Sequence, residues 1–489
     1  MGNAEGKSGD PLELAAGSSR GGAQVATFVV IILVAVFLRF YKLGAWSFWA
    51  DEIFTLYGAM DLSGVRGYPV GYFLIGLVVR LAGLPISEFL ARLLPALAGV
   101  ASVPVLYVIG RGFCSRRTGL IAAGLLAISC YHIYYSQYAR YYTLLMLFSM
   151  LAMCFAFLGI ERNSRVWIAA ATAGLILAFL THWTAGLLVP ALALTFLWAA
   201  RGRGERPPGV NRFNAALLFA PFIVGGLQLA PVFVRFLRGW AGGESFSLIR
   251  AALLVLKVAD RIEPVVIICA IVGAVVLRLE RDYRLKWLAP YAALPPAMVA
   301  IFVAFSKGGS RFAIVCLPAW LLLAAYGMDR LIAIGRKKHP VMACALVACV
   351  AVSLLIKDAR YFTAEMGQRP RWREAVAYVN RHAHVASVVI ASTPDLYRWY
   401  SEHGPPAEDR PLFDYSPDEL QAYFESASGE GFTPVMLVVE HTANVAPTPE
   451  QWRVIREHCD VVESYPLRVR FLDYSMSIYL QKKEKAPDG

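Results

Sequence analysis

Long apolar runs separated by short polar segments dominate residues 25–356. Runs of this length suit helices that cross the roughly 30 Å hydrocarbon core of a bilayer. The chain is 57% hydrophobic and 17% charged, with a mean hydropathy of +0.52, which is too apolar for a soluble protein of 489 residues. We therefore predict a polytopic α-helical membrane protein. Its eleven predicted transmembrane helices are 25–41, 93–110, 118–131, 141–160, 165–181, 184–200, 213–232, 263–279, 287–305, 312–328 and 340–356.

One further apolar stretch, 69–83, is short and carries Arg80. We predict that it lies in the membrane surface, because the basic segments then all fall on one side, which the positive-inside rule identifies as the cytoplasm. The polar residues 1–24 are predicted to be a disordered cytoplasmic N-terminus, and the first outer loop, 42–92, to contain interfacial helices. The basic residues are Arg111, Arg116, Arg117, Arg162, Arg165, Arg201, Arg203, Arg206, Arg212, Arg278, Arg281, Arg284, Lys286, Arg330, Arg336, Lys337 and Lys338.

Residues 357–489 form a polar tail that begins on the outer side of the membrane. The segments WREAVAYVNRHA, DLYRWYSEHG and PEQWRVIREHC are typical of helices, and VASVVIAS, TPVMLVVE and SMSIYLQ are typical of strands. This alternation predicts a small three-layer α/β domain. The predicted organisation is a transmembrane catalytic domain at 25–356 followed by an extracytoplasmic α/β domain at 357–489.

Charge and motif content exclude several classes of protein. The formal net charge is +12, but the basic residues lie between apolar runs and set membrane orientation, so we predict no nucleic-acid partner. The chain has no HExxH, CxxC or P-loop motif, and we predict no metal, nucleotide or other cofactor. Asp51 and Glu52 could still hold Mg²⁺ or Mn²⁺ against a phosphate, which leaves a divalent metal open.

Asp51 and Glu52, in the segment SFWADEIFT, are the main candidates for chemistry. They follow the first apolar run at the membrane surface, where ionised carboxylates are costly and usually functional, at about 2.5–3.5 kcal/mol for a helix centre in hydrocarbon. The same pair could also be favourable charges at the start of an interfacial helix. We predict both residues to be catalytic.

The predicted topology brings further polar residues to the outer face. Arg140, Lys307 and Arg311 are predicted to bind a phosphate, because cationic side chains and a Gly-Gly loop suit an anion; ordinary interfacial cations are the alternative. Gln137 and Arg140 would share a helical face at i and i+3. The predicted substrate-binding residues of this region are His132, Gln137, Tyr141 and His182, and His182 could instead be a packing residue.

Three segments in this order resemble glycosyltransferase family 39, the mannosyltransferase and aminoarabinose-transferase-like group of GT-C membrane enzymes. They are WADEIFT, YHIYYSQYARYYTLL at 131–145 and SRFAIVCLPAW at 310–320, followed by the similar WREAVAYV after the last span. The resemblance covers most of residues 25–400. It implies an inverting transferase that takes a sugar from a polyprenyl-phosphate carrier at the outer membrane face and uses no nucleotide sugar.

The resemblance also implies residue roles. It assigns the general base to Asp51, with Glu52 as its neighbour. Two positions depart from the family pattern: the acidic residue of the second loop is Tyr138 here, and the His-Pro-Pro motif is Tyr68-Pro69-Val70. The second departure makes Tyr68 a further candidate for substrate binding.

The implied partners are a polyprenyl-phosphate-linked sugar, a glycan, lipid or protein acceptor, and membrane lipids. The implied location is the bacterial inner membrane. A transporter or flippase of an amphipathic lipid-linked substrate is the alternative function, although transporters usually place ionisable residues near the bilayer midplane and show internal repeats, and no matching halves are present. A scaffold subunit without activity is a third possibility. The sequence leaves the sugar, the acceptor, the carrier length and the oligomeric state open.

Overall fold

A computed structural model describes residues 11–64, 69–201, 207–241, 246–305, 309–338, 340–386, 388–426, 434–469 and 472–482. The membrane part of these residues is helical, and three-residue or longer 3₁₀ turns link several of the helices. The helices are α1 (Pro11–Phe40), α2 (Ala50–Met60), α3 (Pro69–Ala82), α4 (Glu88–Phe113), α5 (Arg116–Ala127), α6 (Cys130–Ser136), α7 (Tyr142–Glu161), α8 (Arg165–Thr181), α9 (Leu188–Arg201), α10 (Arg212–Ala241), α11 (Leu248–Ile262), α12 (Pro264–Leu279), α13 (Leu285–Ala304), α14 (Leu317–Lys338) and α15 (Pro340–Phe362).

The number of membrane crossings differs from the predicted eleven. Seven helices of the described chain are long and apolar enough to cross a membrane, and nine crossings result if each of two bent helix pairs counts as one. The two remaining predicted spans correspond to α8 and the first part of α10, which are apolar but shorter. The chain is thus a multi-pass membrane protein, and the count of eleven is not confirmed.

The segment predicted to be a disordered N-terminus includes the start of α1, and the segment predicted to lie in the membrane surface forms α3. Helix α1 begins at Pro11, inside the segment predicted to be disordered, and residues 1–10 lie outside the described part of the chain. Helix α3 is a short apolar helix that packs on α2, and Arg80 of α3 donates to the carbonyl oxygens of Ala59 and Met60 at the end of α2. These bonds satisfy two of the carbonyl groups that have no hydrogen-bond partner within the helix.

Two pairs of consecutive helices are joined by sharp bends. Helices α5 and α6 meet at 59°, and α11 and α12 meet at 90°. The second bend lies at Glu263, whose φ of 86° is in the region that favours glycine and whose successor, Pro264, opens α12. Helix α11 exposes Ile249, Leu253 and Leu256 along one side, the pattern of a helix that lies in a membrane surface.

The tail contains the predicted α/β domain. Its four-stranded sheet has the order β1–β2–β6–β3, in which β1 and β2 are parallel and the other neighbours antiparallel. The predicted strands and helices match β1, β2, β6, α16, α17 and α19, whereas β3, the hairpin β4–β5 and α18 were not predicted. The elements are α16 (Trp372–Arg381), β1 (Val388–Ala391), α17 (Pro394–Tyr400), α18 (Pro417–Ser426), β2 (Val435–Glu440), α19 (Pro449–His458), β3 (Cys459–Tyr465), β4 (Arg468–Val469), β5 (Leu472–Asp473) and β6 (Met476–Gln481).

The sheet has helices on both faces, as a three-layer arrangement requires. Ile390, Leu437 and Val439 pack on α18 and α19. The opposite face, which includes Val389 and Val438, packs on α16 and α17. That second layer also contains residues of the outer loop: Phe48, Ile53, Leu56, Ile75 and Ala91. The α/β domain and the outer loop 42–92 therefore share one hydrophobic core.

Glycines allow α12 and α14 to approach closely. A Cβ atom on Gly327 would lie 2.3 Å from the carbonyl oxygen of Cys269, and one on Gly273 would lie 2.0 Å from that of Leu323. Such small-residue contacts permit tight packing between membrane helices, where van der Waals contact replaces the hydrophobic effect.

We expect Gly327→Ala to lower the thermal unfolding temperature in detergent, because the added methyl group must push two helix backbones apart at a cost of about 1–3 kcal/mol. The matched control is Gly112→Ala at the end of α4, where nothing lies within 4 Å of the new Cβ atom. The control should keep or raise the unfolding temperature, since alanine stabilises a helix by up to about 1 kcal/mol over glycine. Equal effects of the two substitutions would contradict the close packing.

Candidate active site

The first turn of α2 carries Asp51 and Glu52. The carboxylate of Glu52 accepts a hydrogen bond from the backbone N–H of Trp49 at 2.9 Å, which caps the start of the helix. Acidic residues in a first turn are also favoured by the helix dipole. Because successive helical residues point in directions about 100° apart, the two carboxylates enter different surroundings.

Glu52 is fully buried and enclosed by donors. Arg92 of α4 binds both of its oxygens at 2.9 Å, Arg369 lies 3.5 Å away, and the Ala139 N–H donates at 2.7 Å. Burial raises the pKa of Glu52, but Arg92, Arg369 and the Ala139 N–H outweigh it, so the pKa lies below its usual value. The group is a buried carboxylate that stays ionised.

Glu52 was predicted to be catalytic, but its contacts give it a positioning role. Its oxygens already accept four hydrogen bonds from three groups and have no exposed surface for a substrate. Arg92 also donates to the carbonyl oxygens of Leu43, Trp46 and Ser47. The pair thus fixes the loop before α2, the segment before α7 and the segment after α15 relative to one another.

Asp51 lies at the surface of this buried cluster, with 37% of its side chain exposed. Its Oδ2 accepts from Nη1 of Arg311 at 2.9 Å and from the Tyr138 hydroxyl at 3.3 Å. Burial first, and then the Asp51 carboxylate, raise the pKa of Tyr138 well above its usual value, so this phenol remains a proton donor. The structure therefore brings Asp51 and Arg311, which are 260 positions apart in sequence, into direct contact.

Arg140 completes the contact around Asp51. Its Nη1 donates to the Asp51 carbonyl oxygen at 3.0 Å and to Thr55 Oγ1 at 2.8 Å. Its guanidinium lies over the rings of Tyr141 and Tyr142, at 4.9 and 5.9 Å. Arg140 and Arg311 therefore place two cations next to Asp51.

Part of the hydrogen-bonding capacity around these cations is unused. Nε of Arg140, Nε of Arg311 and the hydroxyl of Tyr142 are buried and have no hydrogen-bond partner among the described residues. Buried donors are normally satisfied, so unsatisfied ones next to a partly exposed carboxylate indicate a place for a ligand. Donors of this kind match the oxygen atoms of a phosphate.

His132 and Gln137 lie elsewhere. Gln137 Nε2 donates to the Tyr41 carbonyl oxygen at 2.8 Å and its Oε1 accepts from Tyr361, so the side chain covers the end of α1. His132 is buried with Nδ1 2.8 Å from Arg39. Helix α6 ends at Ser136, so Gln137 and Arg140 do not share a helical face. The described contacts of His132 and Gln137 include Arg39, Tyr41 and Tyr361, and substrate binding by the two residues stays a prediction.

Tyr141 and His182 are buried beneath the cationic pair. The His182 ring lies 5.5–5.8 Å from the rings of Tyr141, Tyr142 and Phe312, and Nδ1 is 2.7 Å from Thr184 Oγ1. They support the aromatic rings on which Arg140 and Arg311 lie. Two further predicted residues, Tyr68 and Lys307, lie outside the described residues.

Three arginine residues near Asp51, Glu52 or the neighbouring aromatic rings were not identified from the sequence. Arg92 and Arg369 bind Glu52, and Arg369 also lies over the ring of Tyr138 at 4.8 Å. Arg261, at the end of α11, lies 5.0 Å from the ring centre of Tyr134. Arg92 borders the predicted span 93–110, and a charge at the edge of an apolar run was the signal that could have identified it.

The donor set around Asp51 does not suit a divalent cation. Within the described ranges, no three His, Cys, Asp or Glu side chains come together in a group that could hold a metal ion. The neighbours of Asp51 are Arg311 and Arg140, and Glu52 is enclosed by Arg92 and Arg369. A hard cation needs several oxygen ligands, whereas these carboxylates face guanidinium groups.

Residues 66–224 match the family model described as dolichyl-phosphate-mannose-protein mannosyltransferase. The match includes Arg140, begins after Asp51 and ends before Arg311. The match covers less than half of the chain and agrees with the resemblance to glycosyltransferase family 39. No curated protein matches the sequence.

Solved structures share the fold. The apo structure of ArnT from Cupriavidus metallidurans is 15% identical, with 95% of this chain and 98% of ArnT covered and a TM-score of 0.53. The oligosaccharyltransferase of Archaeoglobus fulgidus in complex with zinc and sulfate is 14% identical. The match covers 89% of this chain and 71% of the oligosaccharyltransferase, with a TM-score of 0.58. The archaeal oligosaccharyltransferase AglB from Archaeoglobus fulgidus, in complex with an inhibitory peptide and a dolichol-phosphate, is 13% identical. The match covers 90% of this chain and 73% of AglB, with a TM-score of 0.57. These likenesses show the helical membrane fold of GT-C enzymes.

We expect Glu52→Gln to destabilise the fold by about 3–5 kcal/mol, because it leaves Arg92 and Arg369 buried without their counter-charge. The measurement is thermal unfolding in detergent, with Glu419→Gln, which breaks an exposed ion pair with Arg410, as the control.

The effect of Glu52→Gln should also depend on pH. A carboxylate with a lowered pKa contributes stability above the unfolded-chain value of about 4.3 and loses it as the pH falls through the folded-state pKa. The difference between wild type and Glu52→Gln should therefore be largest at neutral pH and shrink in acid. A difference that grows in acid would contradict the ionised state of Glu52.

Proposed function

We propose that the chain is an inverting glycosyltransferase that moves a sugar from a polyprenyl-phosphate carrier to an acceptor at the outer face of the bacterial inner membrane. The N-terminus would be cytoplasmic and the α/β domain extracytoplasmic. The acceptor would be a glycan, lipid or protein. Asp51 would act as the base, and Arg140 and Arg311 would bind the donor phosphate.

The contact between Asp51 and Arg311 carries this proposal. It places a partly exposed carboxylate beside two guanidinium groups that have unused donors and lie over aromatic rings. An anionic leaving group and a hydroxyl nucleophile need these two kinds of group at adjacent positions.

The reaction follows from that arrangement. The acceptor oxygen attacks the anomeric carbon, its proton passes to the Asp51 carboxylate, and the new glycosidic bond forms with inversion. The bond between the anomeric carbon and the phosphate oxygen breaks, and its electron pair leaves with the polyprenyl phosphate. Arg140 and Arg311 would stabilise the additional negative charge on that phosphate. The leaving phosphate needs no strong protonation, so one carboxylate suffices.

The departure at Tyr138 fits a scheme with a single carboxylate. Its hydroxyl donates to the Asp51 oxygen that also binds Arg311, so it would hold the base in place without competing for the proton. Glu52 would act through position alone. It sets the backbone of α2 and of Ala139, next to Arg140.

The comparisons support the donor class. Residues 66–224 resemble enzymes named for a dolichyl-phosphate sugar, and the archaeal structure of similar fold is a complex with a dolichol-phosphate. The same complex contains an inhibitory peptide, which is compatible with an acceptor reaching the outer face of this fold. A lipid-linked donor would also account for the exposed apolar face of α11. The last turn of this helix carries Arg261, which lies over the ring of Tyr134.

We expect Asp51→Asn to lower sugar transfer at least about 100-fold while the unfolding temperature stays near that of wild type, because a general base contributes about 10²–10⁴-fold. The assay uses the reconstituted full chain with polyprenyl-phosphate sugars. Asp61→Asn, at the exposed end of α2, is the matched control and should retain activity. Full activity of Asp51→Asn would refute the assignment of the base.

We expect Arg311→Gln to raise the KM for the donor about 10-fold or more, since a hydrogen bond to a charged group is worth about 1.5–3 kcal/mol. Arg311→Lys should recover only part of the loss, because lysine keeps the charge but not the planar fork. Arg410→Gln on the α/β domain controls for a change in surface charge. An unchanged donor KM in Arg311→Gln would argue against the phosphate role.

A further inference from the structure

A groove of about 500 Å³ opens on the α/β domain. It lies between the start of β6, the end of β3, the residue after β2 and the hairpin β4–β5. Two of its lining residues, Pro466 and Leu467, are apolar. The polar ones are His441, Ser464, Arg468, Asp473, Ser475 and Ser477.

The polar side chains of the groove are held in fixed positions. His441 Nε2 lies 3.0 Å from the Ser477 hydroxyl, and that hydroxyl lies 3.4 Å from the Ser464 hydroxyl. On the opposite wall, Asp473 pairs with Arg468 at 3.3 Å and accepts from the Ser475 N–H at 2.9 Å. Ser475 and Ser477 are only 8% and 6% exposed, which makes the floor of the groove a built feature and not a loose surface.

The groove is joined to the loop that carries Asp51. Leu467, Val469 and Tyr474 form a small cluster that packs against Trp49. The rings of Tyr474 and Trp49 meet edge to face at 5.6 Å, and Trp49 is the cap residue of α2. The groove wall at Leu467 and the start of α2 are therefore in direct contact.

The chemistry of the groove selects among ligand classes. Its guanidinium and carboxylate are paired, so it has no excess charge for a phosphate or nucleic acid. Burial lowers the pKa of His441, so its ring is neutral and offers one donor and one acceptor. Hydroxyl, imidazole and carboxylate groups that both donate and accept match the hydroxyl groups of a saccharide.

We propose that this groove binds sugar residues of the acceptor and presents the acceptor to the loop of Asp51. The inference rests on the proposed function, because it names the acceptor class of the same reaction. The acceptor would then be a glycan or a glycolipid headgroup, not a peptide.

The test measures binding of the full chain in nanodiscs to an array of hexose, hexosamine and pentose oligosaccharides. Asp473→Asn, which removes one charge at constant size, and Ser464→Trp, which fills the groove from an exposed position, should each lower binding at least 10-fold. Asp418→Asn, on α18 outside the groove, is the control and should bind as wild type does. Unfolding temperatures near that of wild type verify that the variants fold.

The outcomes separate this inference from the proposed function. Groove-dependent glycan binding that is retained in Asp51→Asn supports the inference, even if the wild type transfers no sugar from a polyprenyl-phosphate donor. The inference is overturned if no oligosaccharide binds, if binding is the same in Asp473→Asn and Ser464→Trp, or if a peptide array binds in their place.

Discussion

The ion cluster of Glu52, Arg92 and Arg369 is the constraint on which the position of α2 depends. The three charged groups are removed from water, and the Glu52 carboxylate offsets the charge of the two guanidinium groups beside it. They come from α2, from α4 and from the segment after α15, so their pairing is possible in one arrangement of these elements. Breaking any one contact leaves an uncompensated buried charge. The cluster thus specifies the position of the loop that carries Asp51.

Adjacent carboxylates have different roles because a helix turns about 100° for each residue. Glu52 points into the protein and is saturated by donors, whereas Asp51 points to the edge and keeps part of its surface open. The buried member holds the backbone in place, and the exposed member meets Arg311 and Tyr138. Chemistry at a membrane surface needs this separation, since a carboxylate that reacts cannot also anchor the fold.

The sequence predicted the helical membrane fold and the α/β tail, and it singled out Asp51, Arg140 and Arg311, which the structure brings into contact. Apolar runs report which segments are helical, and every predicted span has a helical counterpart. They do not report bends: the break between α5 and α6 falls at Ile128 and Ser129, where no proline or glycine marks it. Helix α11 was missed because its apolar residues line one side only. The predicted helical face shared by Gln137 and Arg140 is wrong, because α6 ends one residue before Gln137.

The shared core between the outer loop and the sheet has a consequence for how such chains diversify. Phe48, Ile53 and Leu56 contact the same layer as the strands β1, β2 and β6, so the tail has no independent face toward the membrane part. A graft of the tail from another chain would expose this layer unless residues 42–92 were exchanged with it. A tail that selects the acceptor would therefore be inherited together with the loop that bears Asp51.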